Sequence, residues 1–310
     1  MKKFILNPNW PQAGQAVNLV APAGQVDEKD LKEGLACLQR LGAGPLREFF
    51  GPEVYGASGA PLHLAGRDDW RARMLDKAFC QGGLVMAIRG GFGSSRLLSK
   101  LEWRKLQGLQ PCLLGFSDIS VLLNNMAANG LVALHGPNVV QLAYMDADSL
   151  KDMSALLNDG LAWPHNLQGV RAVNGNVQGA LLGGNLSMLC HLLGTPYAPD
   201  LRGAILFLEE VNEPAYRLDR LLTQLELAGV PEIVAGVALG GLHGYHEQIS
   251  DLEIQNRLDL ALLRLRAWHK PLVYNLPFGH GTSNRLLPVG ADAAMENDIL
   301  QIGLSCGAGR

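Results

Sequence analysis

Residues 84–129 read LVMAIRGGFGSSRLLSKLEWRKLQGLQPCLLGFSDISVLLNNMAAN, and this stretch decides the fold class. Two short runs, Leu84 to Ile88 and Cys112 to Phe116, are apolar at every position, and a helix is expected from Ile119 to Asn129. A strand with no polar face has to be covered on both sides, which is the mark of a parallel sheet flanked by helices. Upstream the rhythm repeats. VNLVA, Val17 to Ala21, stops at Pro22-Ala23-Gly24, and a helical pattern from Asp27 carries Leu31, Leu35 and Leu38 on one face. A second helix, Asp68 to Phe79, places Trp70, Met74 and Ala78 together and leads through Gly82-Gly83 into the strand at Leu84.

Downstream, residues 158–176 (NDGLAWPHNLQGVRAVNGN) break this rhythm with irregular Gly, Pro, Asn and His. They read as a crossing between an N-terminal α/β domain over 1–157 and a second domain over 177–310. Strands are expected at Val177 to Leu182, at AILFL (Ala204 to Leu208), from Ile233 and from Pro271, with helices around Leu186 to Leu193, Ala215 to Ala228 and Leu252 to Trp268. At 310 residues and 48% apolar content, two packed cores are expected rather than one, and disorder is excluded as the main state.

Charge narrows the partners. The net charge is −3, with no basic block able to track a phosphate backbone, so nucleic acid is excluded as the expected ligand. No run of eighteen apolar residues occurs and the opening MKKFILNPNWPQ contains no h-region, so a membrane partner is not expected and a cytoplasmic location is. Five scattered cysteines, an odd number, read as small buried hydrophobes in a reducing compartment. Cys112, in a buried strand without a cationic neighbour, belongs to this class. His243 and His246 in HGYHE lack metal-ligand spacing and read as a polar loop, so no metal and no cofactor is expected.

Chemistry is sought just past the carboxyl ends of strands, where loops are free and the sheet holds them in place. Ser117 in GFSDI follows a strand and precedes a helix, the setting of a nucleophile elbow. Ile119 replaces the second glycine of that pattern, and an N-cap serine fits the same position. IRGGFGSSR brings Gly90, Gly91 and Gly93 directly after a strand. It lacks the spacing of a nucleotide loop, and either an oxyanion-binding turn or a purely geometric turn fits it. Glu209 and Glu210 end an apolar strand, where a carboxylate needs a partner, and His280 sits between Gly279 and Gly281. Ser117, Glu209 and His280 together comprise a nucleophile, an acid and a base.

With VAPAG (20–24), IRGGFGSSRLL (88–98), GFSDIS (115–120), HGP (135–137), GGNLS (183–187), FLEEVNEPAYRLDR (207–220) and FGHG (278–281) in this order, the chain resembles the LD-carboxypeptidase family of serine peptidases. That group includes murein tetrapeptide carboxypeptidases and microcin C7 self-immunity peptidases. Phe92 and Phe116 stand where the family usually has tyrosine, and Glu210 where it often has aspartate. The resemblance implies an α/β fold: an N-terminal parallel sheet flanked by helices and a C-terminal, mainly β, barrel-like domain with helices. It implies Ser117 as nucleophile, Glu209 as orienting acid, His280 as base, and an oxyanion hole from the backbone amides of Gly91 and Asp118. The triad would then be divided between the two domains. It further implies a murein peptide substrate, hydrolysed at the L,D bond to its terminal D-alanine, and a homodimer. An aminoacyl nucleotide amide is the alternative substrate, and a non-enzymatic binding module the alternative class. A substrate carboxylate needs a cationic or amide partner, for which Arg96, Asn185 and Arg285 are the candidates.

Overall fold

The computed structural model describes residues 13–56, 63–158, 165–243 and 250–303. The described residues divide into two compact units: one holds residues up to 158 together with Arg285–Leu287, and the other holds residues 165–284 and those from Pro288 on.

In the first unit, β1 (Val17–Val20), β2 (Leu46–Phe49), β3 (Leu84–Ala87), β4 (Cys112–Gly115) and β5 (Val132–His135) are parallel and lie in the order β5-β4-β3-β1-β2, with the two-residue strand Leu287–Pro288 beyond β5. Every residue of β1, β3 and β4 is buried, as the unbroken apolar runs of β3 and β4 require; the one polar residue of β1, Asn18, is buried with its Nδ2 donating to the Gly82 carbonyl at 2.7 Å. Around them lie α1 (Glu28–Arg40), α2 (Asp68–Cys80), α3 (Trp103–Leu109), α4 (Ser120–Ala128) and α5 (Ala147–Asn158). Helix α1 starts where the Asp27 side chain accepts from the Lys29 amide at 2.8 Å, and it buries Leu31, Cys37 and Leu38. Each of the two leucines contributes about 1.5–3 kcal/mol by leaving water. The chain leaves β1 toward β2 on one side and returns to β3 on the other. The loops after β1 and β3 therefore flank the switch point of the sheet, the position at which open α/β sheets bind ligands.

The second unit contains β6 (His165–Gln168), β7 (Val170–Val173), β8 (Val177–Asn185), β9 (Ile205–Val211), β10 (Gly236–His243), β11 (Leu272–Tyr274), β13 (Asp292–Glu296) and β14 (Ile299–Ile302), Leu287–Pro288 being β12. They form one sheet, ordered β6-β14-β13-β8-β9-β10-β11-β7. Strands β8 to β11 are mutually parallel, and the outer pairs are antiparallel. Its two edge strands, β6 and β7, are separated in the chain by Gly169 alone, so the sheet curls toward a barrel. Helices α6 (Leu186–Leu192), α7 (Ala215–Leu227), α8 (Val230–Ile233) and α9 (Asp251–Arg266) complete it. The fold is thus α/β, with a parallel sheet and helices first and a largely β, barrel-like sheet with helices second. Residues 165–173, within the segment read as a crossing, are its two edge strands, which are half polar because they have few neighbours to bury them.

Candidate active site

Ser117 opens the tight turn that joins β4 to α4. Phe116 is extended (φ −158°), and Ser117 then enters the left-handed region at φ +62° before a short 3-10 turn over Ser117–Ile119. A non-glycine residue held there costs on the order of 1–3 kcal/mol, and such strain concentrates where a side chain has to be presented at a fixed angle. The cap positions fall on Phe116 and Ile119, neither of which caps through its side chain, so Ser117 is placed by the backbone turn and not by a role as N-cap. Gly115 makes the turn possible. A Cβ there would sit 3.0 Å from Ile119 and 3.2 Å from Ala87.

The glycine loop that follows β3 lies directly against this turn. A Cβ on Gly90 would come within 3.0 Å of Ser117 Cβ and 3.2 Å of its Oγ. Gly91 (φ +101°) and Gly93 (φ +104°) adopt conformations that side chains disfavour, and the Gly90 carbonyl accepts from the Gly24 amide at 3.0 Å. Glycine is therefore called for at Gly91 and Gly93 by backbone angle, while at Gly90 a side chain would press on Ser117. Asp118, next to the serine, is buried, and its Oδ2 accepts from the Ser94 amide at 2.8 Å. Burial pushes the Asp118 carboxyl above the usual carboxylate range, opposed by the Ser94 and Gly93 bonds and by the Arg71 charge.

In the second unit, β9 ends in two consecutive buried carboxylates, which side-chain alternation sends to opposite faces. On one face, Glu209 Oε2 lies 2.6 Å from His280 Nδ1, both side chains being almost fully excluded from solvent (0% and 3% exposed). On the other, Glu210 accepts from Asn185 Nδ2 at 3.1 Å, from the Ser187 amide at 2.7 Å and from the Val211 amide at 2.8 Å. Burial pushes the Glu210 carboxyl up, and the Glu209 charge adds to it, while those donors oppose. Glu209 thus faces an imidazole, whereas Glu210 fastens β9 to the start of α6. Glu213 lies beyond the strand, with Oε2 3.6 Å from Arg217.

Gly279 lets the His280 loop approach. It has φ +115°, and a Cβ there would stand 2.9 Å from Glu209 Cβ. The buried Asn284 accepts from the Gly279 amide at 3.1 Å and so holds the loop from the far side. An imidazole whose Nδ1 is bonded to a buried carboxylate is fixed in orientation, with Nε2 as the ring nitrogen turned away from that bond. His243 ends β10, with its Nε2 only 2.7 Å from where a Cβ on Gly281 would be. Burial pushes the pKa of this second imidazole below its usual value.

The three candidates for substrate contact have distinct settings. Arg285 is paired with Asp152 by two bonds, Nε to Oδ2 at 2.6 Å and Nη2 to Oδ1 at 2.9 Å. Asn185 caps α6, its Oδ1 accepting from the Met188 amide at 3.2 Å. Arg96 lies 5.6 Å over the Phe92 ring, with its side chain partly exposed and 3.7 Å from Asp68. Cys112 is fully buried, and burial drives its thiol pKa far up, so it belongs to the core. His246 lies outside the described residues. Among those described, no group of three His, Cys, Asp or Glu side chains could hold a metal, and no helix is long and apolar enough to cross a membrane.

Residues 17–136 match the model of the LD-carboxypeptidase N-terminal domain, and residues 178–295 that of the LD-carboxypeptidase C-terminal domain. A murein tetrapeptide carboxypeptidase of Pseudomonas aeruginosa is 33% identical over 94% of this chain and 96% of its own length. The chain belongs to the LD-carboxypeptidase family. Among solved structures, the muramoyltetrapeptide carboxypeptidase of Oxalobacter formigenes superposes with a TM-score of 0.78 at 28% identity, covering 93% of this chain and 99% of that one. The microcin C7 self-immunity protein in complex with aspartyl sulfamoyl adenosine shares the fold, with a TM-score of 0.77 at 19% identity over 94% and 96% of the two chains. Family membership makes the protein an enzyme, a serine-type hydrolase acting on small peptide-like substrates.

In the first unit Arg71 and the carboxylate of Asp118 hold the glycine loop at Gly93 and Ser94, and in the second Asn284 holds the His280 loop; Ser94 lies inside the quoted glycine motif, but no sequence pattern marked the roles of these residues. The available signal was indirect: each lies within six residues of a glycine that space or backbone angle requires.

Proposed function

We propose that the enzyme hydrolyses the L,D peptide bond to the terminal D-alanine of the murein tetrapeptide L-Ala-D-Glu-meso-diaminopimelate-D-Ala, with Ser117 as nucleophile, His280 as base and Glu209 as orienting acid. The observation that carries the reading is the buried 2.6 Å contact between His280 Nδ1 and Glu209 Oε2, beside a family relative whose name states this substrate class. In the proposed reaction His280 Nε2 takes the proton of Ser117 Oγ as the oxygen attacks the scissile carbonyl. Glu209 holds the ring in the tautomer that leaves Nε2 unprotonated and stabilises the imidazolium that forms. The amides of Gly91 and Asp118 receive the oxyanion, each such donor being worth about 2.7–4 kcal/mol in the transition state. D-alanine departs with the proton from His280, and water releases the acyl half by the same steps in reverse.

Arg96 is the residue we assign to a substrate carboxylate, because its guanidinium is the most exposed of the three candidates and is only loosely paired. The substrate implies a cytoplasmic setting in cell-wall recycling, and the family resemblance implies a homodimer. The discriminating experiment compares kcat/KM for the tetrapeptide with kcat/KM for an aspartyl sulfamoyl adenosine. A preference for the tetrapeptide of about a hundredfold or more, the equivalent of two good contacts, is expected. The reverse preference would assign the enzyme to aminoacyl nucleotide amides.

A further inference from the structure

Arg71 lies on α2, yet its side chain is only 1% exposed. It donates to backbone carbonyls of three separate segments: Pro22 in the loop after β1, Gly66 at 3.2 Å and Gly93 in the glycine loop at 3.0 Å. Its fourth partner is Asp68 Oδ1, at 2.6 Å. Gly93 has to lack a side chain for this to occur, since a Cβ there would meet Leu64 at 2.4 Å and the guanidinium at 3.3 Å.

The peptide group between Gly93 and Ser94 is held from both ends. Its carbonyl accepts from the Arg71 cation, and its N–H donates to Asp118 Oδ2 at 2.8 Å. The Ser94 hydroxyl also donates to the Asp118 carbonyl at 2.5 Å, and Ser94 and Asp118 are both buried. A peptide placed between a cation and a carboxylate is polarised by both, so each bond strengthens the other in a site with little water. The same arginine binds Pro22, whose loop presents the Gly24 amide to the Gly90 carbonyl at 3.0 Å. Gly91 therefore lies in a segment fastened at Gly90 and at Gly93–Ser94, and Asp118 is fastened through both its side chain and its carbonyl.

We propose that Arg71 and Asp118 act as a positioning pair that clamps the Gly93–Ser94 peptide and so fixes the backbone amides of Gly91 and Asp118 in the orientation required of oxyanion donors. This rests on the serine-hydrolase reading above. Neither side chain touches substrate in this role. Their effect is felt where negative charge develops, not where ground-state substrate binds.

The test uses the full-length enzyme and D118N, which keeps the backbone amide and the shape of the side chain but removes the charge. Three quantities are measured: kcat and KM for D-alanine release, affinity for a peptide boronic acid that forms a tetrahedral adduct on Ser117, and affinity for intact tetrapeptide with D118N placed in an S117A background. The expected result is a loss of about 10- to 100-fold in kcat and in boronate affinity, with KM and tetrapeptide affinity within about threefold of their controls. R71K, which keeps the charge but not the fork that reaches three carbonyls, is expected to lose activity in the same way. Combined with D118N it should cost little more than the worse single change. If R71K does not fold, the D118N measurements still decide. D118N with kcat and boronate affinity within threefold of wild type overturns the proposal, as does an equal fall in boronate and tetrapeptide affinity, the mark of a purely structural residue. Activity that survives S117A overturns the hydrolase reading itself; activity that needs Ser117 yet ignores D118N overturns the positioning pair alone.

Discussion

Glu209 Oε2 and His280 Nδ1 are 2.6 Å apart, on a strand end and a glycine-flanked loop brought together from 71 residues away in the chain. The adjacent Glu210 is turned to the other face and holds the N-terminus of α6. Two consecutive glutamates therefore have different work, and substitution separates them. Glu209→Gln should lower kcat by at least about 10², since the corresponding carboxylate-to-amide change in another serine peptidase triad costs about 10⁴. Glu213→Gln should cost less than about tenfold, because a partly exposed ion pair contributes little. Glu210→Gln should act mainly on stability. Measuring kcat and thermal midpoints for all three checks the assignment. A large loss of activity confined to Glu213→Gln would show that the acid has been misnamed.

Two glycines test the packing around the proposed triad. Gly279→Ala places a methyl 2.9 Å from Glu209 Cβ at a residue with φ +115°, so it should destabilise the second unit by about 1–3 kcal/mol and lower kcat together. Gly90 has no such backbone strain, and its added methyl would press on Ser117 Cβ at 3.0 Å and Oγ at 3.2 Å. Gly90→Ala should therefore lower kcat by about tenfold or more while changing stability by less than about 1 kcal/mol. Denaturant titration alongside steady-state kinetics distinguishes the two. A Gly90→Ala enzyme with normal kcat would contradict the close approach.

The core strands were legible because a parallel sheet covered on both faces forces unbroken apolar runs, as in Leu84 to Ile88 and Cys112 to Phe116. The end of β10 was hidden: the apolar run from Ile233 suggested an earlier strand, whereas Val230–Ile233 is helical and β10 continues through Gly240 and Gly241 to His243. Glycine usually weakens a strand, but a Cβ on Gly240 would meet the Phe278 ring at 2.4 Å, a requirement imposed by tertiary packing alone. Arg71 was hidden for a similar reason. A charged residue on an amphipathic helix ordinarily faces water, and its burial depends on the nearby Gly66 carbonyl together with those of Pro22 and Gly93, 49 and 22 residues away in the chain.

Glu210 should leave a pH signature on stability. Its native pKa is raised above the ordinary 4.5, so between 4.5 and that raised value the folded state binds more proton than the unfolded chain does. The stability this group contributes is full below 4.5 and is lost as pH rises through the native value. The difference in unfolding free energy between wild type and Glu210→Gln should accordingly shift against wild type as pH rises from 4.5 through the native value. Urea titrations at several pH values measure it, and a difference that moves in favour of wild type over this range would contradict the assigned direction.

The most direct test of the hydrolase account is the release of D-alanine from purified murein tetrapeptide by wild type and by Ser117→Ala, with unfolding midpoints measured in parallel. The account predicts turnover by the wild type, a loss of at least about 10³ in Ser117→Ala, and a stability within about 1 kcal/mol of wild type, since alanine keeps the Cβ and the backbone angle of +62°. Release of D-alanine by Ser117→Ala within threefold of wild type would contradict it.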